Sequence, residues 1–194
     1  MWPWSHAALG YLLYSFGTRL TGRRPSGYPV IVLLFATQIP DLVDKPLSWV
    51  FDVFPQGYSI AHSVFIAVPL GIAVLAIAAW RHRTECGIAF IIGYWSHLLG
   101  DILFALIESN PLAFERVLWP LVTLPPYGTE LTGFERLEMY VSAFIYLLLT
   151  KEAVILLVIA LLIYFGPFLF AFLVWIVDGA PGVATLRRLL SPSR

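Results

Sequence analysis

Three histidines and three aspartates stand in largely apolar surroundings: His6, Asp41, Asp44, His62, His97 and Asp101. The stretch GYWSHLLGDIL, residues 93–103, shows the pattern most clearly. His97 and Asp101 are four residues apart, so on a helix they share a face and reach one point. Asp41 and Asp44, in PDLVD, are three apart and share a face where that turn is helical. A buried imidazole or carboxylate costs several kcal/mol unless it is paired or coordinated. A divalent cation would satisfy the whole set together. Carboxylate and imidazole donors without thiolate suit zinc or another first-row metal, with manganese or magnesium as alternatives. Such an ion lowers the pKa of a bound water and so favours hydrolysis. In this reading Asp41, His62, His97 and Asp101 are the principal ligands. His6 completes the shell or holds a second ion bridged by Asp101, giving one or two metals. Asp44 is the candidate catalytic residue, orienting or deprotonating the water. The competing readings are structural. The His97–Asp101 pair reads also as a hydrogen bond between helices, Asp41 as a helix cap, and His6 and His62 as interfacial residues at helix starts.

The elements that must position these side chains are membrane helices. Apolar residues make up 59% of the 194-residue chain and charged residues 12%, against about 25% in soluble domains. The mean hydropathy is +0.82. This composition predicts an all-α, polytopic membrane bundle of five or six segments, folded as a single integral membrane domain over residues 1–194. The clearest spans are 62–80 and 87–107, each near the ~20 residues that cross hydrocarbon. Residues 5–18 and 28–44 form shorter segments, the second interrupted by Pro40. Residues 108–136, mixing Pro, Gly, aromatics and charges, read as an interfacial loop with one short helix. Residues 137–194 supply additional membrane helices and a short tail. They read either as two helices turning at Lys151 or as one helix plus a broken one. The single cysteine, Cys86, excludes an internal disulfide and a cysteine metal cluster. A net charge of zero gives no sign of nucleic-acid binding. No cleavable leader is expected, because the arginines follow the first apolar stretch instead of preceding it. Oligomeric state is not readable from the sequence.

Charge sets the direction of the helices. Arg19, Arg23 and Arg24 lie between the first two segments, and Arg81 and Arg83 between the third and fourth. Positive loops favour the cytoplasm. His6, Asp41, Asp44, His62, His97 and Asp101 all fall toward the other, extracytoplasmic side of the cell membrane. His82, inside RHR, reads as a solvated or headgroup-facing residue. Glu108 shares a face with Asp101 but sits about 10 Å along the axis. Lys45 stands beside the cluster, either meeting a phosphate or snorkelling to the interface. Ser63 and Ser96 read as helix-packing hydroxyls.

SHAALGYLLYS, PDLVDKP, AHS and GYWSHLLGD resemble, in order and in the H-x-x-x-D spacing, the motif series of the YdjM-like family of membrane-bound, predicted metal-dependent hydrolases. The resemblance spans residues 1–125 and implies metal residues at His6, Asp41, His62, His97 and Asp101. The order is also distantly similar to the zinc phospholipase C and P1 nuclease superfamily, but those enzymes add downstream histidines and this chain has none after His97. The resemblance implies a membrane-embedded metal-dependent hydrolase working through a metal-activated water. A site at membrane depth favours phosphoesterase- or phospholipase-like action on a lipid-borne or small-molecule ester, because a lipid substrate arrives laterally. The alternatives are a proton- or cation-coupled transporter, since intramembrane His and Asp mark such pathways, and a non-enzymatic membrane protein with a structural metal site.

Overall fold

Pro3 opens the first helix, at a position where a missing N–H costs nothing. The computed structural model describes residues 1–127, 131–149 and 154–191. Helix α1 (Pro3–Leu20) is followed by α2 (Gly27–Ala36) and α3 (Ile39–Trp49). The break between α2 and α3 falls at Thr37 and Gln38, just before Pro40. A proline has no N–H to bond back, and its ring clashes with the preceding turn. The run 28–44 therefore splits into two helices. Helix α4 (Val64–Trp80) begins at Ser63, whose Oγ accepts from the Phe65 N–H at 3.2 Å. Helix α5 (Thr84–Ile107) follows a tight turn in which His82 takes a positive φ of 54°. A 3-10 turn at Glu115–Val117, α6 (Gly133–Leu149), α7 (Val154–Val177) and α8 (Val183–Leu190) complete the chain.

Helix α5 is the axis of the fold, packed against α1, α2 and α4, while α7 lies on α1 and α8 on α2. Close approach depends on glycine. A Cβ on Gly93 would stand 2.5 Å from the Leu33 carbonyl oxygen, and one on Gly10 would stand 2.5 Å from Thr37 Cγ2. Tyr11, Tyr14, Val30, Leu33 and Ala89 form the main buried cluster, flanked by Val174 and Trp175 of α7. The α1–α7 contact is pinned at its polar end. Asp178 accepts hydrogen bonds from Tyr11 Oη at 2.7 Å, Ser15 Oγ at 2.6 Å and Arg19 Nη2 at 2.6 Å. Burial would raise the Asp178 carboxyl, but these three donors outweigh it and hold the pKa below the usual carboxylate range.

The all-α class holds among the described residues, but the expectation of five or six membrane segments is overturned. Only α5 is long and apolar enough among them to cross a membrane. Helix α4 and the Leu161–Val177 part of α7 are apolar but shorter. The reasons are local. Pro40 divides the second segment, and α3 carries Asp41, Asp44 and Lys45. Helix α6 opens with Glu135, Arg136 and Glu138 in its first two turns. The turn expected at Lys151 lies outside the described residues.

Candidate metal centre

Helix α5 presents His97 and Asp101 on one face, with His97 Nε2 3.4 Å from Asp101 Oδ2. Helix α3 brings Asp41 and Asp44, and the turn before α4 brings His62. Asp44 shapes that turn. Its Oδ2 accepts from the backbone N–H of Ser59 (2.8 Å) and His62 (3.0 Å), and its Oδ1 from Ala61 N–H (3.0 Å). Tyr94 Oη of α5 holds the other side of the turn through the Ala61 carbonyl at 2.6 Å. Asp44 is fully buried. Burial would raise its carboxyl, but His62 and the backbone donors outweigh that and keep it below the ordinary range.

The two central imidazoles are held in defined orientations. His62 Nδ1 lies 2.8 Å from Asp44 Oδ2, and His97 Nδ1 lies 2.6 Å from the Thr37 carbonyl oxygen. A carbonyl can only accept, and so can an ionised carboxylate. Both Nδ1 atoms therefore carry the hydrogen and donate it. In the neutral rings both Nε2 atoms then present lone pairs, and they face each other at 3.1 Å. Two lone pairs at that distance repel unless a proton or a cation lies between them.

The surrounding oxygens complete a group that could hold a metal ion. Asp41 Oδ1 lies 3.6 Å from each Nε2, and Asp101 Oδ2 lies 3.4 Å from each. Four ligands about 2.1 Å from a tetrahedral ion stand about 3.4 Å from one another. The five measured edges, 3.1 to 3.6 Å, bracket that value. The donor atoms of Asp41, His62, His97 and Asp101 all lie within 4.8 Å of one another. Asp41 Oδ1 is buried without a hydrogen-bond partner. Asp41 Oδ2 is held by Lys45 Nζ at 2.5 Å.

His6 lies beside this group rather than within it. Its ring stacks on His97 with centroids 3.7 Å apart, and its Nε2 is 3.5 Å from Asp101 Oδ1. Both His6 ring nitrogens are buried and unpartnered. The Met1 amine reaches the same Asp101 oxygen at 2.8 Å. Lys45 leans over the Trp49 ring, and Glu108 is exposed at the end of α5. Ser63 Oγ donates to the Trp119 carbonyl and Ser96 Oγ to the Gly93 carbonyl.

Three contributors escaped sequence reasoning. The Thr37 carbonyl carries no residue signal at all. Tyr58 packs edge-on against His62 at 4.9 Å, and Arg116 lies over the Tyr58 ring while its Nη1 donates to the Tyr58 hydroxyl (3.2 Å) and the Asp101 carbonyl (3.4 Å). Arg116 follows Glu115 in a loop that carries other charges, so its residue type alone gave no signal.

No curated protein and no solved structure matches this chain. The similarity to the zinc phospholipase C and P1 nuclease superfamily finds no support in them. Residues 1–177 match the profile of the YdjM inner membrane protein family. With a match over most of its length, the chain belongs to the YdjM inner membrane protein family.

Proposed function

We propose that this protein is a membrane-embedded, metal-dependent hydrolase of ester or phosphoester substrates borne by lipid. The carrying observation is the pair of Nε2 atoms facing each other at 3.1 Å, each with its Nδ1–H committed elsewhere. Metal-ligating histidines are held in this way, by a carboxylate or carbonyl behind the ring. In this reading Asp41, His62, His97 and Asp101 hold one ion, with zinc the first choice from the donor set and the tetrahedral spacing. His6, with two orphaned ring nitrogens against Asp101 Oδ1, is the candidate donor to a second ion. A metal at this point would supply a water of lowered pKa and polarise the substrate's oxygen. Asp44, expected from sequence to handle the water's proton, serves here as a positioning residue, because both its oxygens are engaged by the His62 turn. Lys45 balances the second oxygen of Asp41.

The same burial favours a second reading. His62 and His97 are fully buried, Asp101 is 2% exposed and Asp41 9%. Four protein donors with little access to solvent describe a structural site, whereas catalytic sites keep a position open. The test is metal content measured beside hydrolysis. The protein is purified without chelator, offered zinc, manganese and magnesium in turn, and assayed on phospholipid and on p-nitrophenyl esters in detergent. Metal with turnover supports the hydrolase. Metal without turnover favours the structural site, and no metal under any condition refutes both.

The orientation follows from charge in this proposal. Arg81 and Arg83 sit at the start of α5, and positive ends stay in the cytoplasm. The centre, near the opposite end of the same helix, then faces the extracytoplasmic side.

A further inference from the structure

The end of α5 far from the metal centre carries a second charged feature, which hydrolysis does not use. At 1.5 Å per residue, Glu85 lies about 24 Å along α5 from Asp101. Here an open cleft lies between the α1–α2 turn, the α4–α5 turn and α8. Arg23 lines it from the first, His82 and Arg83 from the second, and Arg188 from the third. Glu85 is the one acid among the described lining residues, and it pairs with Arg23 at 2.9 Å. Arg83, Arg188 and His82 are left facing an opening with no second carboxylate.

Two further observations bear on what fills it. Helix α8 is amphipathic. Leu186, Leu189 and Leu190 share one face and are 45%, 59% and 81% exposed, while Arg188 points the other way, into the cleft. The helix is fixed to α2 by close contact: a Cβ on Gly27 would fall 2.2 Å from Thr185 Oγ1. The leucines are therefore held outward. At the same end, Trp80 is exposed with the Arg81 guanidinium over its ring at 4.9 Å, and Tyr28 is exposed with Arg83 at 5.7 Å. Exposed aromatic rings paired with cations mark the headgroup level of a bilayer. Leucines in the acyl boundary with arginines at phosphate depth is the arrangement of an interfacial helix.

We propose that this cleft is a binding site for the phosphate headgroup of an anionic membrane phospholipid, gripped by Arg83 and Arg188. A zwitterionic headgroup brings its own cation to a cleft already rich in them, so the site discriminates by net charge. The full chain in neutral detergent is titrated with short-chain phosphatidylglycerol, short-chain phosphatidylcholine and inorganic phosphate, and bound ligand is counted by native mass spectrometry. Phosphatidylglycerol is expected to bind about tenfold or more tightly than phosphatidylcholine. Arg83→Gln and Arg188→Gln should each weaken it about fivefold, as one cation near a lipid phosphate is worth about 1 kcal/mol. Glu85→Gln should strengthen it, a gain that misfolding cannot imitate. Equal affinity for the two lipids, a preference that survives the double arginine variant, or no gain in Glu85→Gln overturns the proposal. Inorganic phosphate binding as tightly as phosphatidylglycerol also overturns it, in favour of a soluble anion.

Discussion

Replacing Asp44 by asparagine tests the centre without touching a proposed ligand. Asp44 Oδ2 serves three donors, Ser59 N–H, His62 N–H and His62 Nδ1–H, and Oδ1 serves the Ala61 N–H. An asparagine with its carbonyl in the Oδ2 place keeps three of the four. Its NH2 then points at the Ala61 N–H, donor against donor. The flipped amide loses three, so the first arrangement wins. One buried backbone donor is left unsatisfied, at a cost of about 1–3 kcal/mol in stability. The bond to His62 Nδ1–H also loses its charge assistance, which is worth roughly half its strength. The His62 Nε2 becomes less basic, and loss of such an outer partner costs about 10–100-fold in metal affinity or activity. Zinc affinity is measured by competition with a chromophoric chelator, and stability by thermal melting of the same preparation. The result that refutes the reasoning is zinc affinity within about twofold of wild type. Unchanged affinity with turnover reduced by about 10²–10⁴ would return Asp44 to the role of a base acting on the water.

Three other outcomes follow. His6→Ala should lower the zinc stoichiometry from two to one while leaving the tighter ion bound. Elemental analysis checks this, and a wild type that binds a single ion removes His6 from the ligand set. Cysteine introduced at position 82 should be labelled by impermeant maleimide only from the cytoplasm, and at position 56 only from outside, the reverse pattern placing the centre on the cytoplasmic side. Asp178→Asn should reduce stability at neutral pH by about 1–3 kcal/mol, because Tyr11, Ser15 and Arg19 lose a charged acceptor. The folded pKa of Asp178 is depressed, so its contribution is present above the unfolded value of about 3.9 and is lost as pH falls through the lower folded value. Melting curves of variant and wild type should therefore converge in acid, and a gap independent of pH would show that the carboxylate charge is not what stabilises the α1–α7 contact.

The grouping of Asp41, His62, His97 and Asp101 was legible because each violates its surroundings: a charge or imidazole in an apolar run must have a partner. The i, i+4 spacing of His97 and Asp101 gave one edge of the cluster directly. What holds these groups was not legible. The Thr37 carbonyl becomes available because Pro40 ends α2 there, a consequence of backbone geometry that no side-chain pattern carries. Asp44 looked like a reagent, since a second carboxylate three residues from a ligand shares its face. Its hydrogen bonds to a turn fifteen to eighteen residues away depend on tertiary folding. The membrane segments were over-read for a related reason. Apolar content measures burial and lipid exposure together, and breaks such as Thr37–Pro40 shorten helices without changing the composition.

The orientation of His97 rests in the end on a residue with no side chain. His97 Nδ1 can reach the Thr37 carbonyl at 2.6 Å only because α2 lies almost on the backbone of α5. Gly93, one turn before His97, permits this: a Cβ there would stand 2.5 Å from the Leu33 oxygen, about 0.9 Å or more inside ordinary contact for a methyl against a carbonyl. The obstructing atom is backbone, so no rotamer change relieves it. Gly93→Ala must push the end of α2 outward, and Thr37, one helical turn after Leu33, moves with it. A shift of that size stretches the His97 Nδ1–carbonyl bond past useful length and frees the ring to turn. Zinc affinity should fall although every proposed ligand is intact. The packing loss alone would lower the melting temperature of metal-free protein, so the discriminating quantity is the stabilisation that added zinc confers. Metal stabilises by its affinity for the folded state. If the carbonyl sets the ring, the zinc-induced rise in melting temperature shrinks in Gly93→Ala. An unchanged rise would mean that His97 is oriented by Asp101 and its stacking on His6, and that the α2 contact serves packing alone.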